Sequence, residues 1–258
     1  MQVSQAYIQG FVKQLDVLDE KTQRIFQSEV ERLNLEERLK NGEAEAFEQV
    51  VNIARAVIPA NTRMASALSA VYYDGIREAS NVKSKFVAES YDTLNDDELY
   101  ADYYAVADEY AKGRTSKPLY RLMGDTSSRF TRYASNESIR RNAVKDPEHP
   151  RFAIVPSPTA CVFCLMRASA GYTYPDSASI ESHNHCKCQA VQVYRDSGIQ
   201  GYNPREYRDE YDEARHAYER GEISEDLSKR IEAARSRNPE FTETNAILMV
   251  WREQQGGK

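Results

Sequence analysis

Apolar residues recur at three- and four-residue steps over much of the first 145 positions, which is the spacing of one face of an α-helix. The first such stretch runs from residue 3 to about 40, and Asn41-Gly42 is a suitable end for it. A second helix is predicted over 43–58. Pro59 should end it, because proline has no N–H and its ring clashes with the preceding turn.

The same periodicity predicts further helices up to residue 145. A third helix can begin at Asn61-Thr62, and it carries small residues that would allow close helix packing. Asn95 precedes three acidic residues, which favours a capped helix start followed by a helix to about Ala111. The stretch 117–145 predicts one or two more helices.

The pattern changes at residues 146–150, where two prolines interrupt any helix. Short apolar or alternating runs at 152–155 and 190–194 then predict two strands. After Gly198 the helical period returns. We therefore expect a mainly α protein with a helical domain over 1–145, a small metal-stabilised α+β unit over 146–198, and a helical C-terminal extension over 199–258.

Composition narrows the function classes. The chain of 258 residues carries a net charge of −6, which argues against coating nucleic acid through bulk electrostatics. No run approaches 18 consecutive apolar residues, so no membrane span is expected. The first residues lack the basic start and apolar run of an export signal, so we expect synthesis in the cytoplasm.

All four cysteines fall between positions 161 and 188, and this clustering favours a metal site over disulfides. Cys161-x-x-Cys164 is followed after 18 residues by His183-Asn-His185-Cys186-Lys-Cys188. A Cys-x-x-Cys turn brings two thiolates to one edge of a tetrahedral zinc site, and the second group can complete it. Cys161, Cys164 and Cys188 are the foremost ligand candidates, with either Cys186 or His183 as the fourth.

Other interpretations of the cysteines stay open at this point. They could be reduced thiols packed in a small core, or disulfides formed late in an oxidising environment. A catalytic metal would keep one coordination position for water, whereas a shell rich in thiolates is usually structural. The chain lacks the Gly-x-Ser-x-Gly, His-Glu-x-x-His and phosphate-loop motifs, so an enzyme is not expected and no small-molecule substrate is indicated.

Three stretches resemble a known family. They are Ser138-Ile-Arg-Arg-Asn-Ala to Arg151-Phe-Ala-Ile-Val-Pro, then Cys161-x-x-Cys164-Leu-Met-Arg-Ala-Ser-Ala-Gly, and His183-x-x-Cys186-x-Cys188-Gln-Ala-Val. Together they resemble the Mu F-like phage head morphogenesis family, in the version found in phages of actinobacteria. The resemblance covers roughly residues 135–195, and the N-terminal half is similar only in general character.

The resemblance implies a minor head protein of a tailed bacteriophage, acting in head assembly or DNA ejection. Its implied partners are the portal protein, the major capsid protein or both, and its implied location is the capsid interior or portal vertex after assembly in the host cytoplasm. It also implies that His183, rather than His185, occupies the family's ligand position, beside Cys186 and Cys188.

A basic stretch gives an alternative function. It contains the following side chains: Arg129, Arg132, Arg140, Arg141, Lys145 and Arg151. With neighbouring aromatic residues, it could contact DNA phosphates or an acidic partner. The alternative is thus a DNA-binding module that assists genome packaging or delivery, and the competing interpretation of the basic residues is an ordinary solvated helix face.

Overall fold

The computed structural model describes residues 2–173, 187–195 and 197–256, and these residues are mainly helical. The helices are α1 (Gln5–Arg32), α2 (Leu35–Lys40), α3 (Ala44–Ala79), α4 (Asp96–Ala111), α5 (Leu119–Lys145), α6 (Val162–Ala168), α7 (Pro204–Glu219), α8 (Glu225–Arg237) and α9 (Glu243–Gln254). The strands are β1 (Gln2–Val3), β2 (Arg151–Val155), β3 (Gln189–Val193) and β4 (Gly198–Ile199). The prediction of a mainly α chain is confirmed.

The predicted first helix consists of two. Asn34 adopts a left-handed conformation with φ 47°, which separates α1 from α2. Asparagine tolerates this region better than most residues, because its short side chain can hydrogen-bond locally. The predicted end at Asn41-Gly42 is confirmed, since Gly42 has φ 74° directly after α2.

The predicted helix end at Pro59 is wrong, because α3 continues through it for 36 residues in all. Proline removes one backbone hydrogen bond, but one local hydrogen bond and two tertiary contacts hold the surrounding turn. Ile58 is fully buried, and the Thr62 hydroxyl donates to the carbonyl of Ile58 at 3.2 Å. Asn61 donates from Nδ2 to Thr131 Oγ1 on α5 at 2.8 Å. Packing therefore outweighs the tendency of proline to end the helix.

Helices α3 and α5 pack along a line of small polar side chains. The hydroxyls of Ser66 and Ser138 lie 2.6 Å apart, and Ser69 donates to Ser135 at 2.9 Å. All four side chains are buried. Small residues let the two backbones approach, as the sequence of α3 predicted, and the mutual hydrogen bonds avoid the cost of burying a hydroxyl without a partner.

Strands β2 and β3 form an antiparallel pair, so both predicted strands are confirmed. The register places Arg151 opposite Val193 and Val155 opposite Gln189. Their side chains enter a core shared with α1, α3 and α5, to which Leu15, Tyr73 and Ile139 contribute. A second core lies between α2, α4 and the neighbouring parts of α1, α3 and α5. The division at residue 145 stays a prediction.

The C-terminal helices form a third core against α6. Val162 of α6 belongs to it, together with Leu227, Ile231 and Trp251. The predicted start of α8 is confirmed, because the Ser224 side chain accepts from the Leu227 N–H as an N-cap. Over the described residues, none of the helices combines the length and the apolar character that crossing a membrane requires.

Candidate functional site

The cysteines that the structure describes lie at one end of the β2–β3 pair. Gln189 opens β3 and pairs with Val155, the last residue of β2, so Cys188 lies at the end where β2 leads into the following loop. That loop leads to Cys161, which is directly followed by α6. Strand register and chain connectivity therefore bring the Cys-x-x-Cys turn and Cys188 to the same end of the antiparallel β2–β3 pair. We call this pair the hairpin, although α6 lies in the connection between its strands.

The three thiols share one core. Cys164 and Cys188 are each 2% exposed, and the partly buried Cys161 packs against the same apolar cluster. Among the described residues, no group of three or more His, Cys, Asp or Glu side chains is arranged to hold a metal ion. His183 and Cys186 lie outside those residues, so only part of the predicted ligand set is described. Soft thiolate donors fit zinc by their chemistry.

Helix α5 fixes the strand that follows Cys188. Asn136 Oδ1 accepts from the Ala190 backbone N–H at 2.8 Å and from Gln189 Nε2 at 3.1 Å. Its Nδ2 donates to the Cys188 carbonyl at 3.4 Å. All these groups are buried. The Asn136 carboxamide therefore links Cys188 and the start of β3 to helix α5.

A buried carboxylate anchors the other end of the hairpin. Asp146 is 0% exposed and accepts from Arg77 Nε at 2.8 Å, from the Tyr73 hydroxyl at 3.0 Å and from the Tyr194 hydroxyl at 2.8 Å. Burial by itself raises the pKa of Asp146, but the hydrogen bonds from Arg77, the Glu148 N–H and the two tyrosines outweigh it, so the net pKa is lowered. The ionised carboxylate therefore joins α3, the end of α5 and the end of β3.

Helix α6 is held between two cores. Cys164 and Ala168 face the core shared with the hairpin, whereas Val162 belongs to the C-terminal core and Phe163 packs against both. The carbonyl at the end of α6, that of Ala168, accepts from the Tyr202 hydroxyl at 2.5 Å. The Cys-x-x-Cys turn is thus supported from both sides by residues distant in sequence.

The basic stretch does not form one open face. Arg129 pairs with Glu98 and Asp102, Arg140 and Arg141 pair with Glu137, and Lys145 pairs with Glu89. Arg151 donates to the Arg195 carbonyl at 3.3 Å and lies over the Tyr172 ring.

Arg132 is the clearest correction to the basic-stretch hypothesis. Its side chain is 0% exposed, and its Nη2 lies 2.5 Å from Asp16 Oδ1 and 3.4 Å from Asp19 Oδ2 on α1. A guanidinium buried in this way cannot reach a phosphate. Burial, more strongly than the opposing attraction of Arg132, raises the pKa of Asp19 to about 6.

The sequence interpretation missed the two polar anchors, Asp146 and Asn136. Asp146 lies in the helix-breaking stretch 146–150, and an acid between a long helix and an apolar strand is a usable signal for such an anchor. Asn136 had no such signal, because its partners lie more than 50 positions away along the chain.

Comparison with protein families gives one match. The model of the family described as VG15 protein matches residues 2–214, which is most of the chain. Neither curated proteins nor solved structures gave a match. The matched range includes the helical region, the hairpin, α6 and the first part of α7.

Proposed function

Because the chain belongs to the VG15 protein family, a phage-associated family, we propose that it is a minor structural head protein of a tailed bacteriophage. On this proposal it docks to the portal or inner capsid and acts in head assembly, DNA ejection or both. It is not an enzyme, and it works from within the virion after assembly in the host cytoplasm.

The observation that carries the proposal is the arrangement of cysteines and polar anchors around the β2–β3 hairpin. Cys161, Cys164 and Cys188 lie there in one core, and the hairpin is anchored to the helical region by Asn136 and Asp146. These internal contacts support a rigid structural module rather than an open catalytic cleft. Asp146, Cys161, Cys164 and Cys188 fall within the three sequence stretches that resemble the Mu F-like family.

The zinc site is part of the proposal. Cys161, Cys164 and Cys188, with His183 or Cys186, would hold the ion. When bound, zinc would cross-link the two chain segments through thiolate bonds and add its binding free energy to folding. The ion would thus link the loop before α6 directly to the start of β3, in addition to the apolar core that the strands share with α1, α3 and α5.

The DNA-binding alternative has weaker support. Arg129, Arg140, Arg141 and Lys145 face acidic partners within this chain, and Arg132 is buried. A protein that binds duplex DNA through phosphates needs cations that are open to solvent on one face. Arg141 and Lys145 are 40% and 53% exposed, but the carboxylates of Glu137 and Glu89 offset their charge.

The first test is the composition of purified particles. After washing with salt and nuclease, mass spectrometry should find this chain retained in the heads at a low copy number. Its absence from washed heads, with abundant protein left in the lysate, would contradict the proposal.

The second test concerns the metal. Elemental analysis of the purified protein should find about one zinc per chain. The double variant Cys161→Ser with Cys164→Ser should lose the zinc, melt at a lower temperature and enter heads less efficiently. Ser236→Ala, on the exposed face of α8, is the control and should behave as wild type. Unchanged zinc content and melting in the double variant would exclude the site.

A further inference from the structure

A groove runs between the first half of α1 and the loop that follows β2. Its volume is about 650 Å³, and one wall is formed by α1 from Gln5 to Asp16. The opposite wall includes Val155, Pro156 and Pro158, and Leu165 and Lys187 also contribute. The groove therefore borders the loop to Cys161 and the residue just before Cys188.

The length of the groove suits an extended chain. Successive residues of a helix rise by about 1.5 Å, so the wall from Gln5 to Asp16 is roughly 16 Å long. An extended peptide advances about 3.3 Å per residue, so roughly five residues would fill it. The lining is largely apolar, with Ile8, Val12 and Leu165 among its side chains.

Gln189, which lines this groove, has a buried side-chain acceptor without a partner among the described residues. The residue is 1% exposed, and its Nε2 donates to Ser135, Asn136 and the Ala190 carbonyl. Within the described part of the chain, its Oε1 has no hydrogen-bond partner. A buried acceptor left without a partner destabilises the folded state. A backbone N–H would satisfy it, whereas a phosphate ester or an acyl chain has no donor to offer.

The charged side chains of the groove lie at one of its two ends. Lys13 and Lys187 lie near Asp16, at the end away from Gln5. Asp16 Oδ1 already receives Arg132 Nη2 at 2.5 Å, with Lys187 Nζ farther away at 3.4 Å. Arg132 is shared by Asp16 and Asp19, and Lys187 also pairs with Asp16, so the exposed Lys13 leaves positive charge at this end. A carboxylate would complement it.

We propose that this groove binds an extended segment, about five residues long, of a partner protein, with apolar side chains along the groove and a carboxylate beside Lys13 and Lys187. The segment's backbone N–H groups would include one that donates to Gln189. The identification of the partner as a head protein rests on the proposed function, whereas binding of the peptide itself does not.

A random seven-residue peptide display library, selected against the immobilised full-length protein, tests the proposal. The expected result is enrichment of sequences that combine apolar residues with Asp or Glu. The best enriched peptide, synthesised with a fluorescein label, should bind in anisotropy measurements. Its affinity should fall roughly tenfold or more for Lys13→Glu, because the cation beside the carboxylate is reversed.

Lys21→Glu is the matched control. It makes the same charge change on the same helix at an exposed position outside the groove, and its affinity should stay within about twofold of wild type. Lys187→Ala gives a second variant, which leaves Asp16 paired with Arg132 and should also weaken binding. Melting curves establish that each variant is folded.

Failure to enrich any sequence would overturn the proposal, as would enriched peptides without acidic residues. Equal affinity of wild type, Lys13→Glu and Lys187→Ala would do the same. These outcomes are independent of the particle measurement. A chain missing from the heads refutes the proposed function, while peptide binding that depends on Lys13 would still establish the groove.

Discussion

Arg77 and Asp146 form a buried ion pair that joins the end of α3 to the end of α5. Arg77 Nε lies 2.8 Å from Asp146 Oδ2, and the two side chains are 7% and 0% exposed. The hydroxyls of Tyr73 and Tyr194 donate to the same carboxylate oxygen. The hairpin therefore meets the helical region through a charged and fully hydrogen-bonded contact.

Asp146→Asn should destabilise the protein strongly. The substitution leaves the Arg77 guanidinium buried without its counter-ion, and breaking such a pair from one side costs about 3–5 kcal/mol. Urea unfolding at neutral pH measures the loss. The control is Asp96→Asn, which removes the partner of Arg55 in a pair that is 40% and 63% exposed. It should cost much less, because solvent screens an exposed ion pair. Similarly small losses of stability in both variants would show that burial does not make the Arg77–Asp146 pair more stabilising than the exposed Arg55–Asp96 pair.

Asp19 should make stability fall as pH rises from about 4 to about 6. Its carboxyl keeps its proton in the folded state up to a pKa of about 6, whereas in the unfolded chain it has the ordinary aspartate pKa of 3.8. The folded state thus binds more protons in this window, so raising the pH favours unfolding. The shift corresponds to roughly 3 kcal/mol.

Urea unfolding of wild type and Asp19→Asn at several pH values checks this. Other carboxylates titrate in both proteins, so the difference between them isolates Asp19. The variant should show less loss of stability between pH 4 and pH 6. Parallel pH profiles for the two proteins would contradict the assignment.

Asn136→Ala should loosen the start of β3. It removes the acceptor of the Ala190 backbone N–H, and a buried donor without a partner costs about 1–3 kcal/mol. The substitution should increase the hydrogen-exchange rate more at the Ala190 amide than at amides in α1. Asn52→Ala, at an exposed position of α3, should leave that exchange rate unchanged. A rate at Ala190 that does not respond to Asn136→Ala would show that the strand is held by other contacts.

Pro59→Ala should raise the melting temperature. Alanine restores the N–H that α3 lacks at this turn and removes the ring clash, which together cost up to about 3 kcal/mol in a helix interior. Part of the gain is offset because proline also restricts the unfolded chain. Calorimetry measures the difference, and Ala60→Ser, next to it on the exposed side of α3, is the control. A lower melting temperature would mean that the helix is adapted to proline here.

Local pattern was sufficient for the parts of the fold that depend on neighbouring residues. The alternation around Val191 and the apolar run at Phe152–Val155 predicted the two strands, and Asn95 and Ser224 predicted helix starts that the structure confirms. Each of these signals arises from residues within a few positions of each other. The Cys161-x-x-Cys164 spacing is also local, and the metal site that it predicts stays a prediction.

Pro59 and Arg132 show where local reasoning fails. Proline normally ends a helix, but Asn61 and Ile58 make contacts with distant residues that keep α3 continuous. Arg132 follows a pattern typical of a solvated helix face, yet its side chain is buried. It pairs there with Asp16 and Asp19, which lie more than 110 positions earlier in the chain. The long-range pairing that decides both outcomes is not contained in the nearby sequence.

The parallel pairing of β1 with β4 has a consequence for synthesis. Gln2 pairs with Gly198 and Val3 with Ile199, so the strand that precedes α1 has no partner until β4 has left the ribosome. At about 5–20 residues per second, this takes roughly 10–40 s. Over that time α1 can pack only against the helices that follow it. The N-terminal strand is therefore among the last elements to be locked, and a nascent chain stalled before β4 would expose it.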